Sequence, residues 1–324
     1  MVIGIILVGT GHIAEEHARA IKRVKGAKLV GVFSNDKARA GDFARRHNTK
    51  GYWDINEALK NPEVNVLDIA NQNYLHGDFA LLGINAGKHL IIEKPIDISV
   101  AKARKVIEES KKKGVFITVI SQYRFGKGFI KLKKMIDNGS LGKLIMGVVV
   151  LGKHRDEKDY CSGGGWKKNK KGAGGGVLIM NAVHYINILR WLFGEVKEVK
   201  GGLATLTHDI EVEDTGAVLL KFHNNAIAAI SATTSLKFNI PDRVEVYGSR
   251  CSVVVENGRI VKKSAGNRIY SGLLTVLMLF NTAKQGNIKE QIDNFINFLN
   301  DKGKLEITGE DGLRDLEILD RIYK

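Results

Sequence analysis

Strands and helices alternate along residues 2–121 of the chain, and this alternation constrains the fold more than any other feature. Five short apolar runs rich in β-branched residues are separated by four patterns typical of helices. The runs are VIGIILVG (2–9), AKLVGVFS (27–34), VNVLDIA (64–70), HLIIEKP (89–95) and VFITVIS (115–121), and the helical patterns are Ile13 to Val24, Lys37 to His47, Leu75 to Ala86 and Val100 to Lys112. Such alternation predicts βαβ units and a parallel sheet covered on both faces.

The turn after the first predicted strand reads GTGHIA, with Gly9 and Gly11 in the spacing of a dinucleotide fingerprint. Gly9 permits a tight turn, and Gly11 lets the backbone approach a pyrophosphate at the N-terminus of the following helix. Because the motif lies between a strand and a helix, it predicts a nicotinamide dinucleotide site; a glycine turn without a ligand is the alternative. The residues expected there are Gly9, Thr10, Gly11, His12 and Ile13.

The end of the second predicted strand bears on the choice between NAD and NADP. An acidic residue at this point usually binds the adenosine ribose, but this chain has Ser34 and Asn35. Ser34 would not repel a 2′-phosphate, and Lys37 or Arg39 could neutralise one. The sequence therefore predicts NAD or NADP as the cofactor and leaves the preference open, with Ser34, Asn35, Lys37 and Arg39 near the ribose.

The chain is basic, with 50 Lys and Arg against 35 Asp and Glu and a formal net charge of +15. The basic residues are scattered over many predicted helix faces, without interleaved aromatic residues, a helix-turn-helix or a zinc signature, so we expect no binding to nucleic acid. No His, Asp or Glu cluster has metal-ligand spacing, so no metal site is predicted. Anionic small molecules or a solvated lysine-rich surface account for the charge.

Length and residue usage predict a two-domain protein of a reducing compartment. A chain of 324 residues with 44% hydrophobic content can bury a full core, and we expect domains at 1–122 and 123–324. Cys161 and Cys251 form no CxxC pair, which favours free thiols and a cytoplasmic location. No run of eighteen apolar residues lacks a charge, so association with a membrane is not expected. The apolar start has no basic n-region and predicts a first strand rather than a signal peptide.

The second half contains patterns of strands joined by tight turns. LIMGVVVLG (144–152), DTGAVLLKFHNNAIAAISATTS (214–235) and RVEVYGSRCSVVVENGRIV (243–261) alternate as strands do, with turn signals at Asn224-Asn225, Gly248-Ser249 and Asn257-Gly258. These hairpin signals predict a mostly antiparallel sheet after the parallel one.

Several motifs, in order along the chain, resemble those of the Gfo/Idh/MocA oxidoreductases, the glucose–fructose oxidoreductase and inositol dehydrogenase family. They are NYLHGDFALLGINAGKHLIIEKP (73–95), SQYRF (121–125), SGGGW (162–166) and GGGVLIMNAVH (174–184). The resemblance covers essentially the whole chain. It implies a Rossmann-type α/β domain followed by an α+β domain with a large, mostly antiparallel sheet, helices on one of its faces, and pairing of subunits into a homodimer or homotetramer. It also implies hydride transfer between NAD or NADP and a hydroxyl or carbonyl of a sugar, polyol or nucleotide-linked sugar.

Two residues are expected to carry the proton chemistry. Lys94 follows the fourth predicted strand of the parallel sheet, where ligands of such sheets bind, and a partly desolvated lysine can polarise a carbonyl or help ionise a hydroxyl. His184 is the one ionisable residue in the first part of the apolar segment GGGVLIMNAVHYINILRWLFG (174–194), and a core histidine with one hydrogen bond is its alternative explanation. The resemblance implies that Lys94 and His184 are catalytic, with His184 as general acid and base.

The resemblance also implies further contacts on both ligands. Its cofactor contacts would include Asn71, Asn73, His76, Glu93 and Lys94. Its substrate contacts would be Lys94, Tyr123, Arg124, Trp166, Asn181 and His184. The segment GGGWKKNKKGAGGG (163–176) is either a mobile solvated loop or a flap that closes over an anionic substrate with Trp166 stacked on a ring.

The chain departs from the family pattern beside the histidine. The family usually has Asp, sometimes Asn, four residues before the histidine and Asp three residues after it, whereas this chain has Met180 and Asn187. No carboxylate is therefore expected to orient the imidazole. The departure favours, as an alternative function, a catalytically weak or silent dinucleotide-binding regulator; the presence of Lys94 and His184 opposes it.

Overall fold

The computed structural model describes residues 1–265, 268–271 and 286–324 of the chain. These residues form two compact units. The first comprises Met1–Ser121, Lys171–Gly174 and Ile288–Glu317, and the second comprises Gln122–Lys170, Gly175–Asn287 and Ile318–Lys324. Of the predicted second domain, 123–324, residues 266–267 and 272–285 lie outside the described part.

The first unit is built on a six-stranded parallel sheet with the order β3-β2-β1-β4-β5-β6. Its strands are β1 (Ile3–Val8), β2 (Ala27–Phe33), β3 (Lys50–Tyr52), β4 (Val64–Ile69), β5 (His89–Ile92) and β6 (Ile117–Val119). Its helices up to Ser121 are α1 (His12–Ile21), α2 (Lys37–His47), α3 (Ile55–Lys60), α4 (His76–Asn85) and α5 (Val100–Lys113). The order reverses between β1 and β4, which makes this the point of the sheet where ligands of such folds bind.

The sequence pattern is confirmed for five of these strands and four of these helices. Gly26, Gly87 and Gly114 all have positive φ angles, as expected of residues that end helices before strands. The pattern missed β3, whose sequence Lys50–Tyr52 (KGY) lies in no apolar run, and α3, whose six residues are too short for a helical periodicity to be recognised.

Two C-terminal helices, α10 (Ile288–Leu299) and α11 (Gly309–Tyr323), follow residue 287 along the chain. Ile292, Phe295 and Ile296 of α10 are buried in one cluster with residues of β1, α1, β4 and β5. The side chain of Gln291 accepts a hydrogen bond from the Ser121 amide at 2.8 Å and donates to β6. The first unit therefore includes residues from the C-terminal part, which differs from the predicted division at residue 122, because burial of the apolar face of α10 does not depend on its place in the sequence.

The second unit contains an eight-stranded sheet with the order β14-β13-β12-β11-β7-β10-β9-β8. Its strands are β7 (Leu144–Gly152), β8 (Val196–Ala204), β9 (Thr215–Phe222), β10 (Ile227–Thr233), β11 (Arg243–Gly248), β12 (Cys251–Glu256), β13 (Arg259–Ala265) and β14 (Arg268–Ser271). Among the described strands of this sheet only β7 and β10 pair in parallel, so the predicted mostly antiparallel sheet is confirmed. Asn225 and Asn257-Gly258 have the positive φ angles that tight hairpins require.

The remaining helices are α6 (Lys127–Asp137), α7 (Glu157–Cys161), α8 (Lys170–Ala173) and α9 (Val183–Phe193). A five-residue π-helix, Leu178–Ala182, leads directly into α9. The segment Lys170–Phe193 is long and apolar enough to cross a membrane, but 83% of its most apolar eighteen residues are buried inside the protein. That burial is typical of a core helix, as the stacking of Phe193 on Phe222 of β9 illustrates.

Candidate active site

In the first unit, the strands end in a common row. Val8 of β1 is in register with Phe33 of β2 and with Ile69 of β4, and Ile69 is in register with Ile92 of β5. The segments that follow these four residues therefore start side by side at the carboxyl edge of the sheet. They contain all the cofactor residues predicted from the sequence, so the fold brings the four predicted segments to one edge.

The two fingerprint glycines differ in what surrounds them. Gly9 has φ +118°, and a Cβ atom there would lie 2.6 Å from the carbonyl oxygen of Ala70. Gly9 is thus required by the close approach of β1 to the end of β4. A Cβ on Gly11, by contrast, would meet no atom within 4 Å, and Gly11 is the N-cap of α1 with extended backbone angles. The open space at a helix N-terminus fits a pyrophosphate, which needs the backbone amides and not a side chain.

The end of β2 presents a hydroxyl and an acid that is already engaged. The Ser34 hydroxyl accepts a hydrogen bond from the Asp36 amide at 3.2 Å, while Asn35 is exposed. Asp36 caps α2, accepts from the Arg39 amide and pairs with its guanidinium at 3.4 Å. The Lys37 ammonium lies 4.4 Å from the centre of the Trp53 ring. Two cations and one carboxylate therefore surround the predicted ribose position.

The segment after β4 holds two asparagines predicted to contact the cofactor. The side-chain oxygen of Asn71 is shielded from solvent and has no hydrogen-bond partner among the described residues. A buried polar atom without a partner fits a site whose ligand supplies one, as the hydroxyls and carboxamide of a nicotinamide nucleotide would. Asn73 is buried and donates to the carbonyl of Ala173 at 2.9 Å, so it anchors the 171–174 segment within the first unit.

His76 occupies a structural position. It is fully buried, and its Nδ1 lies 2.7 Å from the carbonyl oxygen of Pro95, to which it donates. Burial lowers the pKa of His76, opposed by the backbone carbonyls of Pro95 and Asn71 that face its two ring nitrogens. The neutral ring thus ties the start of α4 to the residue after Lys94. The contact of His76 with the cofactor stays a prediction.

A buried charged cluster, which sequence reasoning missed, lies beneath the end of β5. It consists of His17 on α1, Asp68 on β4 and Glu93. The Nδ1 of His17 is 2.8 and 2.9 Å from the two oxygens of Asp68, and its Nε2 is 3.0 Å from Oε1 of Glu93. Both ring nitrogens face carboxylates, so both must donate, which requires the imidazolium form.

The electrostatics of the cluster favour the charged form. Burial by itself would lower the pKa of His17, but the charge of Asp68 and the hydrogen bonds to Asp68 and Glu93 raise it to about 10. Burial raises the pKa of Asp68 above its ordinary value, although the charge of His17 lowers it. We assign the ion pair because two short contacts join the groups.

The cluster is connected directly to the predicted catalytic lysine. Oε2 of Glu93 accepts a hydrogen bond from the backbone amide of Lys94 at 3.0 Å. Glu93, predicted as a cofactor contact, is thus 5% exposed and holds the backbone of Lys94 in place. The side chain of Lys94 is half-buried, as expected of a lysine at the carboxyl edge of the sheet. The sequence signal for His17 was its position one turn inside α1, facing the strands.

In the second unit, His184 is the second residue of α9 and is 9% exposed. Its ring stacks on Tyr123, with centres 4.5 Å apart and planes inclined by 25°. Tyr123 also contacts the edge of Tyr185, whose hydroxyl donates to Asp242 at 2.8 Å. Burial raises the pKa of Tyr123, and the charge of Asp242 adds to the rise. The predicted substrate residues Tyr123 and His184 therefore lie together, with the phenol in its neutral form.

Asn187, at the position where the family usually has Asp, forms a hydrogen bond with a buried arginine. Arg124, predicted to bind substrate, is buried, and its Nε donates to Oδ1 of Asn187 at 2.7 Å. Its guanidinium also lies 5.8 Å from the centre of the Trp191 ring. Asn187 thus holds Arg124 against α9, and the contact of Arg124 with a substrate stays a prediction.

Met180 and Asn181 lie in the π-helix. Its i→i+5 hydrogen bonds replace the α-helical pattern, so the four-residue spacing between Met180 and His184 does not have its α-helical geometry. Oδ1 of Asn181 is 3.5 Å from a guanidinium nitrogen of Arg155, which follows β7. Single π-helical turns next to α-helices often occur at functional sites.

The glycine-rich segment 163–176 is ordered by specific contacts. Trp166 and Lys167 belong to a short 3-10 helix, Trp166–Lys168, preceded by three glycines with positive φ. A Cβ on Gly176 would lie 1.7 Å from the carbonyl oxygen of Glu213, so this glycine is needed for packing. Glu213 accepts hydrogen bonds from the amides of Gly176 and Leu178.

Sequence reasoning also missed Gln122, whose side-chain oxygen is buried without a partner in the described part of the chain.

Family models match most of the chain. Residues 3–121 match an oxidoreductase family with an NAD-binding Rossmann fold, and residues 129–254 match a GFO/IDH/MocA C-terminal domain. The chain is 24% identical to myo-inositol 2-dehydrogenase of Thermotoga maritima over 96% of this chain and 92% of that protein. It is 28% identical to trans-1,2-dihydrobenzene-1,2-diol dehydrogenase of Mus musculus over 75% and 72%.

Solved structures show the same fold. The WlbA dehydrogenase from Bordetella pertussis, in complex with NADH and UDP-GlcNAcA, is 25% identical and superposes with a TM-score of 0.87 over 100% of this chain and 96% of that chain.

Proposed function

This chain belongs to the Gfo/Idh/MocA family of NAD-binding oxidoreductases, and we propose that it is a dehydrogenase acting on a sugar, a polyol or a nucleotide-linked sugar. The reaction moves a hydride between the nicotinamide cofactor and a hydroxyl or carbonyl carbon. The observation that carries the proposal is the row of strand ends, which gathers the open helix terminus at Gly11 and the half-buried Lys94 at one edge of the sheet.

The residues of the first unit fit a nicotinamide dinucleotide. Gly11 and the amides that open α1 would hold the pyrophosphate, and the buried side chain of Asn71 would find its missing partner on the nucleotide. When bound, the cofactor supplies the hydride acceptor or donor. At the ribose, Asp36 is neutralised by Arg39, and Lys37 adds a second cation, so we propose that NADP is accepted besides NAD.

Lys94 and His184 would handle the proton of the substrate hydroxyl. Hydride leaves a carbon only as its hydroxyl loses a proton, so oxidation needs a base and reduction needs the same group as an acid. We assign this role to His184, whose ring orientation is set by stacking on Tyr123. Lys94, with its backbone held by Glu93, would act as a cation that polarises a substrate oxygen. In this chain, where Met180 and Asn187 stand at the positions of the family's usual acids, stacking on the neutral phenol of Tyr123 would orient the His184 ring.

The second candidate function is a catalytically silent dinucleotide sensor. Asn187 and Met180 favour it, since neither can supply the charge of the usual acids. The two candidates differ in one measurement: both bind the dinucleotide, and only the dehydrogenase turns over a substrate.

The deciding experiment is a screen of sugars, inositols and UDP-sugars with NAD and with NADP, followed by the absorbance of the reduced nicotinamide. With an active substrate, Lys94→Ala and His184→Ala should each lower kcat by on the order of a hundredfold, while the protein still binds NADH. The exposed Lys158→Gln variant is the control and should keep the wild-type rate. NADH binding without turnover of any compound would favour the sensor, and a failure to bind NADH would refute both.

We further propose that the protein forms a homodimer or homotetramer through the open face of its large sheet. Met146, Leu219 and Ile227 lie on this face; Ile227 is 50% and Leu219 is 56% exposed. Opposite residues of the same strands, such as Val218 and Ala228, are buried. Apolar residues exposed together are typical of interfaces. Sedimentation of Leu219→Lys and Ile227→Lys variants should show monomers where the wild type is an oligomer; a monomeric wild type would refute the proposal.

We propose a cytoplasmic location. Cys161 and Cys251 are free in the structure, in agreement with a reducing compartment. Fractionation of the source cells with an antibody against the protein tests this directly.

A further inference from the structure

Two cations in the second unit differ from their charged neighbours in the way they are held. Arg155 follows β7, Lys167 lies in the 3-10 helix Trp166–Lys168, and both are half-buried. Among the described residues, neither forms an ion pair with a carboxylate. Their neighbours in sequence do, because Lys153 pairs with Asp242 at 2.6 Å and Lys168 with Glu157 at 3.1 Å.

The contacts of both cations are with neutral groups. The guanidinium of Arg155 lies 3.5 Å from Oδ1 of Asn181 and 5.9 Å from the centre of the Tyr160 ring. The ammonium of Lys167 donates to the Ser162 hydroxyl at 2.9 Å and to a backbone carbonyl at 3.3 Å. These contacts orient the two side chains without a salt bridge to a carboxylate in the described part of the chain; the charge of Asp159 offsets part of that of Lys167.

The two charges also repel each other. Burial lowers the pKa of Lys167 and the charge of Arg155 lowers it further, which outweighs the opposing effect of the Asp159 carboxylate. Two like charges held near each other in a partly desolvated place raise the free energy of the empty site, and an anion between them would remove that cost. This is the arrangement expected of an anion-binding site rather than of a solvated surface.

Arg155 is linked through Asn181 to the helical stretch that contains His184. Asn181, which contacts Arg155, precedes His184 by three residues in one continuous helical stretch, a rise of about 5 Å. The half-buried Trp166, whose ring centre lies 5.9 Å from the Lys167 ammonium, adds a flat apolar surface beside the cations. An anionic group bound here would lie within the dimensions of a sugar substrate whose hydroxyl reaches His184.

We propose that Arg155, Lys167 and Asn181 form an anion subsite, and that the substrate is a sugar with a carboxylate or a phosphate group rather than a neutral polyol. This inference rests on the proposed dehydrogenase function. It accounts for part of the basic excess of the chain and gives the segment 163–176 a role in substrate selection. A uronate carboxylate and the diphosphate of a nucleotide sugar share the required chemistry.

The test measures binding of four probes to the NADH-loaded protein by calorimetry: glucuronate, UDP-glucose, UDP-glucuronate and myo-inositol. We expect at least one anionic probe to bind more tightly than myo-inositol. Arg155→Met and Lys167→Met should each weaken that probe by roughly ten- to a hundredfold, the effect of losing one charge-assisted hydrogen bond, and leave NADH affinity unchanged. Arg155→Lys should retain most of the affinity. If the Met variants weaken glucuronate binding, the subsite binds a carboxylate. If they weaken UDP-glucose binding, it binds the diphosphate.

The control is Lys158→Gln, which removes one exposed positive charge from the nearby helix α7 and should not alter binding of any probe. Equal losses in Lys158→Gln would attribute the effect to overall charge and overturn the inference. So would the absence of any anionic probe that binds better than myo-inositol, or wild-type affinity in both Met variants. Loss of NADH binding in the wild type would instead refute the proposed function, so the two failures are distinguishable.

Discussion

Replacing Asp68 by asparagine removes one of the two carboxylates that hold the buried imidazolium of His17. The substitution keeps the shape of the side chain and leaves the contact with Glu93 in place. It therefore isolates the charge of Asp68. We expect the first unit to remain folded at neutral pH and to become less stable.

The magnitude follows from the pKa of His17, which the cluster raises from 6.5 to about 10. A rise of 3.5 units (10 − 6.5) corresponds to at most roughly 5 kcal/mol at 1.36 kcal/mol per unit. Asp68 is one of two partners, so Asp68→Asn should lower the free energy of unfolding by roughly 3 kcal/mol near pH 6, between the loss of one charge-assisted hydrogen bond and that of a whole buried pair.

The pH dependence has a definite sign. The folded state binds the His17 proton more tightly than the unfolded state does, so this contribution to stability is fully present below pH 6.5 and is lost as the pH rises through about 10. In Asp68→Asn the pKa of His17 is raised less, so the free energy of unfolding of the variant falls less as the pH rises. The difference between the two proteins should therefore be largest near pH 6 and should narrow toward pH 10.

Two measurements check this. Urea unfolding followed by Trp53 fluorescence, in a background of Trp166→Phe and Trp191→Phe, reports on the first unit. Nitrogen NMR of the histidine rings gives the protonation state of His17 directly.

The control is Asp42→Asn, the same chemical change in an exposed pair with Arg45, which should cost less than about 0.5 kcal/mol. A His17 ring that is neutral at pH 8 in the wild type, or a stability difference that does not change between pH 6 and 9.5, would refute the reasoning.

Three further predictions concern the cofactor and the histidine. Gly11→Val should fold normally and lose NADH binding in a titration, because its side chain occupies open space, whereas Gly9→Ala should lower the melting temperature by clashing with the end of β4; normal NADH affinity in a folded Gly11→Val protein would contradict this assignment. Ser34→Asp should shift the ratio of kcat/KM toward NAD, because a carboxylate repels a 2′-phosphate, and a shift toward NADP would mean that the ribose lies elsewhere. Met180→Asp should move the acidic limb of the pH–rate profile upward if a carboxylate at this position reaches His184; an unchanged limb would show that the π-helix directs residue 180 away from the ring.

The architecture of both units could be predicted from the sequence because its signals are local. Periodicities of two and of three to four residues fix the strand and helix types, and the glycines at 9 and 11 fix the first turn. The hairpin turn at Asn257-Gly258 is likewise determined by neighbouring residues. The short strand β3, which lies in no apolar run, was not predicted from the sequence.

The roles of many site residues were decided by the tertiary structure. His17 lies 51 residues from Asp68 and 76 from Glu93, and the three meet because β1 and β5 both flank β4 while α1 packs against them. Arg124 and Asn187, 63 residues apart, form a hydrogen bond that neither motif indicates alone.

The reason lies in the range of the interactions. A backbone preference acts between residues a few positions apart, so a sequence window contains its cause. A buried charge is stabilised only by partners that the packing of distant segments brings within about 3 Å, and the sequence around His17 contains neither of those partners.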